Sequence, residues 1–99
     1  MKRKKKSNIT ANTGGSYALN EVDLHRLTVD EAIPKLDRFL NDSFRSGLYQ
    51  VRVVHGKGTG VLREEVSRYL SGHPLVKSFS PADRFHGGIG ATQVELSEW

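Results

Sequence analysis

Apolar positions along the chain change period several times, and each change marks an element. In ALNEVDLH (18–25) Val22 and Leu24 fall on one side and Glu21, Asp23 and His25 on the other. This is the period of two of a half-buried strand. From Val29 onward the apolar set Val29, Ala32, Ile33, Leu36, Phe39, Leu40 and Phe44 follows helical spacing. Thr28, three residues before Glu31, forms a capping box for that helix, and Gly47 is its stop. Pro34 deletes one backbone hydrogen bond and is expected to kink the helix or delay its first turns. YQVRVVH (49–55) alternates again, with Tyr49, Val51 and Val53 opposite Gln50, Arg52 and Val54. A second helix is predicted from about Val61 to Ser71, with Leu62, Val66, Tyr69 and Leu70 inward and Gly72 and Pro74 ending it. LVKSFS and ATQVELS supply two more strands.

The order βαβαββ predicts a two-layer α/β sandwich. Strand–helix–strand units imply parallel pairing and right-handed crossovers. Two helices cover one face of a four-stranded mixed sheet, and the other face stays open and polar. That places Asp23, His25, Arg52, Gln93 and Glu95 on or near one accessible surface.

Composition sharpens the boundaries. Of 15 basic residues, five are Lys2, Arg3, Lys4, Lys5 and Lys6, and no acidic residue precedes Glu21. Without that run the chain has ten basic residues against eleven acidic ones, so the net charge of +4 lives in the tail. Residues 1–18, ending in a polar Gly/Ser-rich stretch, read as a disordered arm, and the folded domain as 19–97. Lys4, Lys5 and their neighbours are either a solubilising leader or a polyanion-binding arm. In the latter case up to five phosphate contacts give a salt slope of about −4 to −5 on duplex DNA. With no cysteine, disulfides and thiolate zinc sites are excluded. No apolar run approaches the ~20 residues of a membrane span, and SNITANTGGS lacks the apolar core of a secretory signal. A cytoplasmic monomer without membrane association is expected.

Candidate chemistry gathers where strands end. HGKGTG (55–60) joins a strand to a helix. Glycine-rich backbone at a helix start favours an anion, with Lys57 and Arg63 as cationic partners. Phosphate fits best, yet neither the P-loop spacing nor GxGxxG is met, since position 61 is valine. Asp23 and His25 share one strand face, a carboxylate beside the side chain best suited to move protons near neutral pH. His55 opens the glycine loop, and His86 opens a second one, Gly87-Gly88-Ile89-Gly90. Blander readings stand beside these: Asp23 pairing with Arg52, the glycines serving only a tight turn, and His73 as a partner of a helix C-terminus. No spacing is specific for a metal. Phe39, Phe44, Tyr49 and Tyr69 have core spacing, whereas Phe79, Phe85 and Trp99 are candidates for exposure.

Taken in order, V-D-L-H (22–25), H-G-K-G-T-G-V-L-R (55–63) and G-G-I-G-A-T-Q-V-E-L (87–96) resemble the Smr (small MutS-related) domain. That domain stands at the C-terminus of a bacterial MutS paralogue and in stand-alone proteins. The resemblance implies a fold similar to the C-terminal domain of translation initiation factor three. It also implies binding of DNA or RNA, and in many members endonuclease activity: nicking of DNA, or cleavage of RNA on stalled ribosomes. Asp23 and His25 then match the motif held to be catalytic. His55, Gly56, Lys57, Gly58, Thr59 and Gly60 match the glycine-loop motif, and Gly87, Gly88, Gly90 and Thr92 the third.

The family motif often reads D-L-H-G; Arg26 stands here in place of the glycine, and either adds a phosphate contact or obstructs the site. The resulting expectation is a phosphodiesterase. His25, oriented by Asp23, is the base; His55 or His86 is the acid. Lys57, Arg63 and the loop amides hold the phosphate, with Arg26, Arg52, His86 and Gly88 as further contacts. A divalent cation (Mg or Mn) near Asp23 enters only if DNA is the substrate. A non-catalytic module for RNA, branched DNA or the ribosome is the alternative, and a protein-interaction domain comes third.

Overall fold

The computed structural model describes residues 20–85 and 88–98. Elements run β1 (Glu21–Asp23), α1 (Val29–Arg45), β2 (Gln50–Val54), α2 (Val61–Ser71), β3 (Val76–Pro81) and β4 (Ala91–Leu96), with a 3₁₀ turn at Gly88–Gly90 before β4. The predicted order is therefore observed.

Local chemistry accounts for the helix limits. Thr28 Oγ1 accepts from the Glu31 amide at 3.2 Å, and Glu31 Oε1 accepts from the Thr28 amide at 2.9 Å, a complete capping box. Beyond the C-cap Ser46, Gly47 takes φ +77°, a conformation that costs glycine little. The expected delay at Pro34 does not occur: α1 is helical from Val29 through Pro34. Pro34 is exposed, so water can reach the carbonyl that has lost its amide partner.

Strand order in the sheet is β1-β2-β4-β3. β1 pairs parallel with β2, Val22 opposite Val53, while β4 runs antiparallel to both β2 and β3. The βαβ expectation of parallel pairing thus holds for β1 and β2. It fails for β2 and β3, because β4 inserts between them. One parity of β1 and the residue after it, of β2 and of β4 (Val22, Leu24, Val51, Val53, Val94, Leu96) joins Ala32, Leu36 and Leu40 of α1 and Val66 and Leu70 of α2 in a single core. Nine of these leucine and valine side chains are fully buried, each contributing about 1.5–3 kcal/mol relative to exposure. The opposite sheet face carries Gln50, Arg52, Ser78, Gln93 and Glu95 and is polar, as expected. Tyr49 departs from its predicted inward place and is 42% exposed. Among the described residues no helix is long and apolar enough to cross a membrane.

Candidate phosphodiester site

The parallel strands β1 and β2 end at one rim of the sheet, and antiparallel β4 begins there. Three motifs far apart in sequence are therefore brought together by topology. Backbone bonds lock them: the Leu24 amide donates to Val54 O, and the amides of His55 and Gly56 both donate to Gly90 O at 3.0 and 2.9 Å. Tight contact and a left-handed backbone together favour glycine at position 56. A Cβ on Gly56, which has φ +80°, would lie 3.2 Å from His25 Cβ.

Asp23 and His25 form a dyad. Asp23 Oδ1 accepts from the His25 amide at 3.0 Å and contacts His25 Nδ1 at 2.5 Å. The hydrogen bond from the imidazole holds the Asp23 carboxyl below its usual range, and Lys35 adds to this from α1. An ionised carboxylate only accepts, so the Nδ1 proton points at Asp23 and the neutral ring keeps its lone pair on Nε2. Both side chains are about half exposed. Lys35 Nζ also donates to the Asp23 carbonyl at 3.1 Å. The sequence reading missed Lys35; its only signal was a lysine two turns into the helix that follows the motif.

His55 has a different environment. It is buried, with Nδ1 3.0 Å from Gly56 O and Nε2 2.9 Å from the buried Thr92 Oγ1. Burial lowers its pKa, and the nearby Arg63 charge acts in the same direction. The ring is therefore neutral, donating from Nδ1 to the carbonyl and accepting the Thr92 hydroxyl proton at Nε2. An acid that must hand a proton to a bound substrate needs a free, reachable N–H, which His55 does not have.

Beside the dyad lies a groove of about 280 Å³ lined by Arg26, Lys57 and Arg63 together with the HGKGTG backbone. Among the described residues none of these three cations pairs with a carboxylate. Gly60 caps α2 at φ +90° and offers no side chain to the first-turn amides; Thr59 Oγ1 lies 3.4 Å from the Val61 amide. Arg26 occupies the left-handed region at φ +71°, the reason a glycine suits this position. Arg52 is not part of this cluster. It is bound to Glu21 through Nε and Nη2, so neither an Asp23 partner nor a free phosphate contact results. His73 is more than a helix-end charge, since it bridges to Asp37 of α1. Gly88 (φ +54°) begins the turn leading to Gly90. His86, Gly87, Lys4, Lys5 and Trp99 lie outside the described residues. Among those described, no three His, Asp or Glu side chains are grouped to hold a metal ion.

Known proteins share this sequence and fold. Residues 22–97 match the Smr domain family. Endonuclease MutS2 of Thermomicrobium roseum is 51% identical over 76 residues, and that of Exiguobacterium sibiricum 42% identical over 95. These segments cover 77% and 96% of this chain; the chain spans about a tenth of the length of these curated relatives. Among solved structures, the Smr domain of Thermus thermophilus MutS2 is 42% identical with a TM-score of 0.77, over 79% of this chain and 98% of that one. YdaL, a stand-alone small MutS-related protein from Escherichia coli, is 30% identical with a TM-score of 0.76, over 79% of this chain and 64% of its own. By sequence, by fold and by the meeting of its three motifs at one rim, the chain belongs to the Smr domain family.

Proposed function

We propose that the domain is an endonuclease that grips a phosphodiester in the Arg26–Lys57–Arg63 groove and cleaves it with the Asp23–His25 dyad. The observation that carries this reading is the dyad itself: an ionised carboxylate orients a half-exposed imidazole beside a groove lined by three cations that pair with no carboxylate among the described residues. The relatives named endonuclease support the class of reaction.

RNA is the substrate the residues suit best. His25 Nε2 takes the proton of the ribose 2′-hydroxyl, the 2′-oxygen attacks phosphorus, and the P–O5′ bond breaks. The leaving 5′-oxygen takes its proton from water at the open rim, or from His86. The guanidinium and ammonium groups, with the amides at the start of α2, stabilise the charge growing on the phosphoryl oxygens. Charge-assisted donors of this kind are the strong ones, and the Arg forks fix orientation. His55 acts one step removed. By bonding Gly56 and Thr92 it holds the glycine loop against β4, which makes it a positioning residue. DNA lacks the 2′-hydroxyl, so water would have to attack; there Asp23 would be the carboxylate available to hold a divalent cation, which would supply an activated water.

The deciding experiment is end-labelled cleavage of RNA and of supercoiled plasmid, with and without EDTA, by the wild type and by Asp23→Ala/His25→Ala. Expected are RNA products with 5′-hydroxyl ends, unaffected by EDTA and absent in the double variant. Plasmid nicking abolished by EDTA moves the assignment to DNA. Binding without cleavage by either protein overturns the enzymatic reading.

A further inference from the structure

A second groove, of about 430 Å³, runs between α2 and β3 on the far side of Arg63. Its surface is predominantly apolar, from Phe79, Pro81, Ile89 and Ala91, and α2 adds Arg63, Glu64, Ser67 and Arg68 to the lining, a carboxylate between cations. Its volume falls within the ~300–1,000 Å³ of small-ligand pockets. Arg63 borders both grooves. Thr92, in the wall of the second, is bonded to His55 in the wall of the first. The two grooves are therefore neighbours, one cationic and one largely apolar, that share Arg63.

We propose that the apolar groove receives a nucleobase of the strand whose phosphate occupies the cationic groove. The inference rests on the nucleic-acid reading above and adds a substrate property to it. A base is flat and apolar on both faces with a polar edge, which matches Phe79, Pro81 and Ile89 as packing surface and Ser67 as an edge partner. Arg63 serves the base and the phosphate at once, since a guanidinium stacks on a π-face and also donates to phosphate oxygens. A base stacked inside a duplex cannot enter, so the substrate is single-stranded, looped or locally opened. Ile89 is 55% exposed although it lines the groove, and covering it is part of the expected gain on binding.

The test uses the full chain and short 2′-O-methyl RNA strands, which the proposed chemistry cannot cut, each with one abasic site at a successive position. Affinity is read by fluorescence anisotropy. One position is expected to be sensitive, its abasic strand binding about 5- to 150-fold more weakly, the range of a stacked base. In Ile89→Asp the intact strand should lose a similar factor and the abasic site should cost nothing further. Ser67→Phe, which fills the groove, should behave alike. Uniform tolerance of abasic sites, or a sensitive position that survives both variants, overturns the base pocket while leaving phosphate binding in place. Failure of the wild type to bind any intact strand overturns the nucleic-acid reading itself, and this inference with it.

Discussion

Among the described residues two aspartate–histidine pairs stand out, and their difference is instructive. Asp23 and His25 are two residues apart on one strand end, about half exposed, and the imidazole meets the carboxylate through Nδ1 while the His25 amide donates to the same oxygen. His25 Nε2 has no partner among the described residues. Asp37 and His73 are 36 residues apart, one on α1 and one just after α2. There His73 Nε2 donates to Asp37 at 3.1 Å, and Nδ1 accepts from the Leu75 amide, also at 3.1 Å. The His73 side chain is only 6% exposed, and Tyr69 donates its hydroxyl to the same carboxylate. Burial, reinforced by the Asp37 bond, raises the Tyr69 pKa, so that hydroxyl stays a donor. The first pair keeps a free nitrogen beside three cations. The second uses both imidazole nitrogens, one to reach α1 and one to hold the chain just after α2. Identical side chains thus stand open at a rim or enclosed against a helix according to what surrounds them.

This contrast is open to direct attack. The largest effect should come from Asp23→Ala/His25→Ala, which is expected to lower cleavage by roughly 10²–10⁴-fold, the usual worth of a positioned acid–base group. Its melting temperature should stay near that of the wild type, because both side chains are exposed. His73→Ala should do the reverse. Losing a buried bridge and leaving the Leu75 amide without its acceptor costs about 1–3 kcal/mol in denaturant melts. Cleavage measured well below the transition should be unchanged. An equal loss of activity in both variants would erase the distinction.

Arg26→Gly tests whether the strained residue belongs to the working side of the comparison. Relieving φ +71° should stabilise the fold by about 1 kcal/mol, the order of the left-handed penalty for a residue with a side chain. Loss of one groove cation should weaken RNA binding at low salt several-fold and reduce the salt slope by about one contact. A variant that is more stable and binds equally well would leave Arg26 without a role in the groove.

The smallest effect concerns His55. Its folded pKa lies below the ordinary 6.5, so the unfolded chain takes up a proton first as pH falls. Stability is therefore lost as pH drops from about 6.5 towards the folded pKa. Asp23 and Asp37, both lowered chiefly by hydrogen bonds, act the same way only below about pH 4. His55→Gln should flatten the melting-temperature profile between pH 7 and 5. An unchanged slope would show that another group titrates there.

Much of this was readable before any fold was known. Capping residues and glycine stops announce helix limits because they satisfy local backbone groups, and α2 spans the predicted residues. The motif resemblance led to the family. Local signals misjudged Pro34, because a missing amide is harmless on a solvated helix face. They also offered His25, His55 and His86 as acid–base candidates and gave His73 only a helix-end role, since burial is a property of the packed chain. His55 proved enclosed and His73 bridged, whereas His25 stayed open.

What the sequence alone determined is therefore the element order, the inward faces and the identity of the three motifs, all set by periodicity and near-neighbour hydrogen bonding. What only tertiary structure decided is which of those residues meet. β4 inserted between β2 and β3, bringing Gly90 onto the glycine loop and Thr92 onto His55. Arg52 was withdrawn to Glu21, and Lys35 was brought to Asp23. Such meetings depend on strand order and long-range closure, which a period of two or of 3.6 residues does not encode.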